Sequence, residues 1–117
     1  MEQIEKADSA AVIYYNQPAN PRFFRVVKLR NLSLLQGTMA EINGEFLYGF
    51  EECPSMGKFY FYGKGDIVDV VYFSIIDSCM TFSFIKNGDK HFTRMGLSSK
   101  KLIDSLSIHA IAPKASN

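Results

Sequence analysis

The sequence predicts an α+β fold that is mainly β: an antiparallel meander of strongly bent sheet, half-barrel or barrel-like, with one short C-terminal helix over about residues 98–106. Three observations predict it. Ten Phe and six Tyr without any Trp favour strands. Turn sequences rich in Asn and Gly separate runs of apolar residues. A chain of 117 residues is long enough for one hydrophobic core and too short for two. We therefore expect a single domain over 1–117.

Two strands are expected near the N-terminus. The segments 10–15 (AAVIYY) and 23–29 (FFRVVKL) are rich in β-branched and aromatic residues. Pro18 and Pro21 place a loop between them. Residues 1–8 show no comparable pattern, and we expect them to fray.

Residues 33–43 fit two local structures. In the first, Asn43 and Gly44 form the two-residue turn of a β-hairpin, because both residue types tolerate a positive φ. In the second, a helix begins with a capping box at Ser33 and ends just before Gly44. Its apolar stripe would consist of Leu35, Met39 and Ile42. The hairpin is favoured because the segment also contains a glycine and a threonine, which are weak helix formers.

A hairpin is expected over residues 58–73, with its turn at 63–66 (GKGD). The apolar residues after this turn change parity. Even-numbered Val68 and Val70 match the phenylalanines of the first strand, whereas odd-numbered positions are apolar from Val71 onward. A β-bulge near Val70-Val71 explains the change and predicts a strongly bent sheet. A strand that is covered on both faces is the alternative.

A further hairpin is predicted to turn at Asn87-Gly88. Pairing across this turn places Phe84 opposite His91 on an apolar face. The reverse face, which includes Phe92 and Arg94, is expected to contact solvent.

The last secondary structure elements follow this hairpin. Ser98 or Ser99 can cap the helix over about 98–106, and three aliphatic residues share one of its faces. These are Leu102, Ile103 and Leu106. The segment 108–112 (IHAIA) fits an edge strand, and residues 113–117 are expected to fray.

Few residues in this sequence suggest catalysis. His91 would need a neighbour to orient it for proton transfer, and its apolar face predicts packing on an aromatic ring instead. Cys53 and Cys79 lack the spacing and the His or Cys neighbours of a zinc site, and two cysteines do not make a disulfide framework. Free thiols are therefore expected. We therefore expect that the protein is not an enzyme and that it has no catalytic residue, cofactor or metal. An enzyme whose site forms only in the tertiary structure is an alternative.

Charge is distributed unevenly along the chain although the formal net charge is +1. Basic residues cluster at 22–30 and 86–101, and acidic residues cluster at 41–52. Exposed aromatic side chains and arginines are typical anchors of protein interfaces. The predicted partner-binding residues are Tyr60, Tyr62, Lys64, Phe92 and Arg94.

One pair of segments is similar to the motifs of PilZ domains, small barrels that bind cyclic di-GMP through R-x-x-x-R and D/N-x-S-x-x-G. These segments are RFFRV and NLSLLQG. Arg22 and Arg25 are one residue closer together than in that family, and Asn31, Ser33 and Gly37 are spread one residue further. We therefore do not assign the chain to the family. A small-ligand or nucleotide-binding barrel is kept as an alternative function.

The favoured function is that of a small non-enzymatic module, of the immunity, inhibitor or regulatory type, that recognises a partner protein. Recognition would use an exposed sheet face or edge, against a partner with an acidic surface, and an edge strand also offers a route to a homodimer. Nucleic acid is not expected, because its dedicated binders carry a larger positive excess. No apolar run reaches the ~20 residues of a membrane-spanning helix, and the N-terminus is acidic where a secretory signal is basic. We therefore expect no membrane association and a cytoplasmic location.

Overall fold

The computed structural model describes residues 3–48, 53–76 and 78–113. Antiparallel strands form one open sheet, and short helices pack on one of its faces. The strands are β1 (Ser9–Gln17), β2 (Asn20–Leu29), β3 (Gly57–Gly63), β4 (Asp66–Ile76), β5 (Cys79–Lys86) and β6 (Asp89–Arg94). The helices are α1 (Gln36–Ile42) and α2 (Leu97–Ser107), with 3₁₀ helices at Gln3–Lys6 and Ser33–Leu35. The predicted α+β class, mainly β with a C-terminal helix, is confirmed.

The strands are arranged in the order β2-β1-β3-β4-β5-β6. Strands β3 to β6 are successive neighbours, as the predicted meander requires, whereas β1 lies between β2 and β3. The two edge strands, β2 and β6, are partly paired with other segments. Val26 of β2 exchanges backbone hydrogen bonds with Ile111, and Thr93 of β6 bridges to Phe46. The predicted strand over 108–112 is therefore reduced to a single bridge.

A β-bulge in β4 sets which residues face the core. Phe61 pairs with Asp69 and Tyr62 pairs with Ile67, so Val68 is the extra residue between them. The predicted bulge is confirmed, but it lies about two residues before Val70-Val71. The tight turn that precedes it has positive φ at Lys64 (53°) and Gly65 (86°). Such a turn matches the twist of the two strands that it joins.

The core lies between the helices and one face of the sheet, which we call the inner face. Its largest fully buried side chains are Phe59, Phe61, Phe73, Phe82 and Phe84. The hydroxyl of Tyr14 on β1 donates to the backbone carbonyl of Ile103 at 2.6 Å, which ties α2 to this face. Ile4 is fully buried in the same core, so the fraying expected for 1–8 does not extend to it. The reverse side of the sheet is the outer face.

The hairpin favoured at Asn43-Gly44 is wrong, because residues 36–42 form α1. Leu35 and Ile42 are fully buried in the core, and this burial outweighs the weak helix propensity of the segment. The capping box at Ser33 does not form. Its N–H and its hydroxyl both donate to the side-chain oxygen of Asn31, at 3.1 and 2.6 Å.

The start of α2 also differs from the prediction. The helix begins at Leu97, and neither Ser98 nor Ser99 caps it. The carboxylate of Glu41 in α1 accepts the hydrogen bond of the N-cap backbone N–H at Gly96 instead, at 3.0 Å. Ser99 lies inside the helix, where its hydroxyl bonds to Glu41 and to Thr38.

The expectation of free thiols is wrong, because Cys53 and Cys79 form a disulfide with a Cα–Cα distance of 6.3 Å. Cys79 is the first residue of β5, and the chain segment before β3 passes the same end of the sheet. The two residues are 26 positions apart in the sequence. Their proximity follows from the strand order and not from a local pattern.

Candidate partner-binding surface

A row of residues crosses the middle of the outer face, with large side chains on β3, β4 and β6 and a small serine on β5. Strand pairing places Lys58 of β3 beside Tyr72 of β4, then Ser83 of β5 and Phe92 of β6. Tyr60 lies two residues along β3 on the same face. The helices of the described chain pack on the inner face, so these aromatic side chains stay half-exposed.

Lys58 lies between two of the tyrosine rings. Its Nζ is 5.0 Å from the ring centroid of Tyr60 and 5.8 Å from that of Tyr72, which are cation–π distances. Partial burial lowers the pKa of Lys58, but its hydrogen bond with Tyr60 and the neighbouring Tyr15 outweigh this effect and raise the pKa above its ordinary value. Burial likewise raises the pKa of Tyr15. The surface therefore presents an ammonium group beside the tyrosine rings.

Two exposed isoleucines extend the surface. Ile67 lies opposite Tyr62 and is 53% exposed, and Ile85 lies opposite Lys90 and is 58% exposed. Single exposed apolar residues are common on protein surfaces, but here they adjoin the half-exposed aromatic residues of the same face. The combination gives a mixed apolar and aromatic surface with a fixed cation.

A groove lies at each end of this surface. One, of about 510 Å³, is lined by Tyr15, Tyr72, Pro21 and the segment 53–55. The Cys53–Cys79 disulfide fixes this segment to the start of β5. The other groove, of about 360 Å³, is lined by Ser9, Ala10, Ala11, Lys28, Leu29, Arg30 and Tyr62. Both grooves border tyrosines of the outer face.

The predicted partner-binding residues are only partly brought together. Tyr60 and Tyr62 are adjacent on β3, with ring centroids 6.4 Å apart. Phe92 and Arg94 share the outer face but lie on β6, three strand spacings from β3, or about 14 Å. Lys64 lies in the β3–β4 turn, where its backbone N–H donates to Asp8 at 3.0 Å.

Sequence reasoning missed several residues of this surface. These are Tyr15, Lys58, Ile67, Tyr72 and Ile85. The parity of β3 could have indicated Lys58, since it alternates with the buried phenylalanines as Tyr60 and Tyr62 do. The place of Tyr72 beside Lys58 depends on the bulge, and its position was not evident from the sequence.

The residues considered for chemistry have structural contacts. His91 stacks on Phe46 with ring centroids 4.2 Å apart and lies 6.1 Å from Phe84, which confirms the predicted aromatic packing. Cys53 and Cys79 are bonded to each other. Within residues 3–48, 53–76 and 78–113, no three His, Cys, Asp or Glu side chains are grouped closely enough to hold a metal ion.

Comparison of the chain with protein-family models, with curated proteins and with solved structures found no match. None of the described helices has the length and apolar character needed to cross a membrane.

Proposed function

We propose that this protein is a non-enzymatic module that recognises a partner protein through the outer face of its sheet, in the manner of an inhibitor, immunity or regulatory protein. The observation that carries the proposal is the row of half-exposed aromatic residues around Lys58, flanked by exposed Ile67 and Ile85. Tyrosine side chains are among the usual anchors at the centres of protein interfaces.

The size of the outer face supports this function. Six strands about 4.8 Å apart, with about seven residues each at about 3.4 Å, give a face of roughly 600 Å². One side of a standard protein interface covers about 800 Å². A partner that also filled one of the end grooves would therefore bury a surface of ordinary size.

The sheet edges are less suited to recognition than the face. Val26 on β2 is already paired with Ile111, and the carbonyl of Phe92 on β6 accepts the N–H of Leu47 at 2.8 Å. A partner strand, including one from a second copy of the chain, would find part of each edge occupied. We therefore place the binding surface on the face.

Site-specific crosslinking tests the proposal. A photo-crosslinking amino acid at Tyr62 should capture a discrete partner, whereas the same group at Lys101, exposed on α2, should not. Ile85→Asp should weaken the Tyr62 capture at least tenfold. Ile108→Asp is the matched control, because Ile108 is 81% exposed and lies beyond α2. Equal capture from both positions, or equal loss in both variants, would contradict the proposal.

A second candidate function is small-ligand binding in the groove beside Tyr15 and Tyr72. Its volume of about 510 Å³ lies within the usual range of small-molecule sites. Tyr72→Ala should abolish any ligand-induced rise in Tm found in a screen of small molecules. A rise that persists in this variant would place the ligand elsewhere.

The compartment stays a prediction. The sequence favours the cytoplasm, whereas the Cys53–Cys79 disulfide is typical of oxidising compartments. Mass spectrometry after thiol alkylation in intact cells distinguishes the two. Alkylated Cys53 and Cys79 would support the cytoplasm, and protected cysteines would support an oxidising location.

A further inference from the structure

Among the described residues that strand pairing places on the outer face, all the charged ones are basic. Strand pairing places four on it: Lys28, Lys58, Lys90 and Arg94. The acidic residues of the paired strands lie elsewhere. Asp69 is opposite Phe61 on the inner side of the bulge, and Asp66 and Asp89 flank the tight turns. Glu41 and Asp104 belong to the helices on the inner face.

From this segregation of charge we propose that the partner presents an acidic surface, whose carboxylates meet Lys58 and Arg94 while its apolar side chains pack on Tyr60, Ile67 and Ile85. This inference rests on the proposed function and names the class of partner. Complementary potentials of this kind steer association and exclude partners of the wrong charge.

Lys58 is held in place before a partner binds. Its ammonium lies over two tyrosine rings, and among the described residues it has no carboxylate within salt-bridge distance. A partner that covered the tyrosines would also desolvate this charge. Burial of an unpaired charge is costly, so only a partner that supplies a carboxylate there would bind well.

The same features disfavour two other occupants. A second copy of the chain, docked outer face to outer face, would bring Lys58 and Arg94 against residues of like charge. Single-stranded nucleic acid would gain from the cations and tyrosines, but exposed Ile67 and Ile85 offer neither a ring for base stacking nor a charge for phosphate. The formal net charge of +1 also gives little long-range attraction for a polyanion.

Selection from a random twelve-residue peptide library displayed on phage tests this inference. Peptides are selected on the wild-type chain and then assayed on the double variant Lys58→Gln/Arg94→Gln. The control variant is Lys6→Gln/Lys101→Gln, which removes the same charge at exposed sites outside the outer face. Urea unfolding followed by circular dichroism first checks that all three proteins are folded.

We expect the selected peptides to contain more Asp and Glu than Lys and Arg, and to bind at least tenfold more weakly to the double variant than to the control. Peptides without this excess, or a selection that yields none sensitive to the double variant, would overturn the inference. The inference would also be overturned if an oligothymidylate of twelve nucleotides bound the wild type more tightly than the peptides do and the double variant no longer bound it. If crosslinking at Tyr62 still captures a partner but the selected peptides show no excess of Asp and Glu, the proposed binding face is retained and only the proposed class of partner is wrong.

Discussion

The carboxylate of Glu41, on α1, accepts a hydrogen bond from the backbone N–H of Gly96, the N-cap residue of α2, at a distance of 3.0 Å. One helix thus supplies the capping acceptor of the other. The same carboxylate accepts the hydroxyl hydrogen of Ser99, and its negative charge lies near the positive end of the α2 dipole. A residue 55 positions away in the sequence therefore fixes where α2 begins.

Glu41→Ala should lower the free energy of unfolding by about 1–2 kcal/mol, because it removes a cap and leaves a buried hydroxyl with one partner fewer. Urea unfolding followed by circular dichroism measures the loss, since the chain contains no Trp. Glu41→Gln keeps an oxygen acceptor and should lose less stability. Equal losses of stability in the two variants would show that the hydrogen bonds of Glu41 do not account for the destabilisation.

Substitution by alanine should destabilise the protein at Gly57 and stabilise it at Gly37. A Cβ at Gly57 would clash with the backbone oxygen of Ile13 and with the ring of Phe73, so Gly57→Ala should cost more than about 3 kcal/mol. A Cβ at Gly37, inside α1, would meet no atom within 4 Å. Gly37→Ala should therefore stabilise the protein by about 0.5–1 kcal/mol through helix propensity. Thermal and urea unfolding measure both, and a stable Gly57→Ala protein would contradict the close packing of β1, β3 and β4.

Removal of the disulfide should destabilise the fold by about 3 kcal/mol, given the loop of 26 residues that it closes. The double variant Cys53→Ser/Cys79→Ser tests this by urea unfolding against the oxidised wild type. The reduced wild type is the control and should match the variant. If alkylation of the unreduced, denatured protein labels both cysteines, the disulfide itself is absent.

Ionisation of the Asp69 carboxyl should lower the free energy of unfolding as the pH rises. Burial raises the pKa of its carboxyl above the ordinary value of 3.8, and its Oδ2 atom is buried without a hydrogen-bond partner among the described residues. The folded state therefore holds the proton more tightly than the unfolded state. The stability that this group contributes is fully present below the unfolded pKa and is lost as the pH rises through the raised folded pKa. Asp69→Asn should thus become more stable relative to wild type between about pH 3 and pH 7.

Asp8→Asn is the control for this measurement, because its effect has the opposite sign. The backbone N–H of Lys64 holds the pKa of the Asp8 carboxyl below its ordinary value. Its contribution is present above the unfolded pKa and is lost as the pH falls. The Asp8 variant should therefore lose stability relative to wild type toward neutral pH. Parallel pH profiles for wild type and Asp69→Asn would contradict the effect assigned to Asp69.

Several features could be predicted because a few consecutive residues encode them. The turn at Asn87-Gly88 forms as expected, with φ of 53° and 83° at the two residues, and it places Phe84 opposite His91. The change of apolar parity after the turn at 63–66 correctly indicated a bulge. Its position was about two residues off, because the parity of the side chains shows that a residue is inserted but only approximately where.

Only part of the candidate surface could be predicted, because only part of it is encoded by a local pattern. Tyr60 and Tyr62 follow from the alternation within β3, which is a local pattern. Tyr15 and Tyr72 reach the same surface from β1 and β4, and their place beside Lys58 depends on the strand order and the register after the bulge.

The sequence by itself determined the strands β1 to β6, the tight turns at 63–66 and 87–88, and which of their side chains alternate toward the core, because these depend on the backbone preferences of neighbouring residues. The tertiary structure alone decided that residues 36–42 are helical, that Glu41 caps α2, that Cys53 meets Cys79, and that Lys58 lies between Tyr60 and Tyr72. Each of these depends on which distant segments meet when the apolar face of the sheet is buried. That burial can override a weak local preference, as it does in α1.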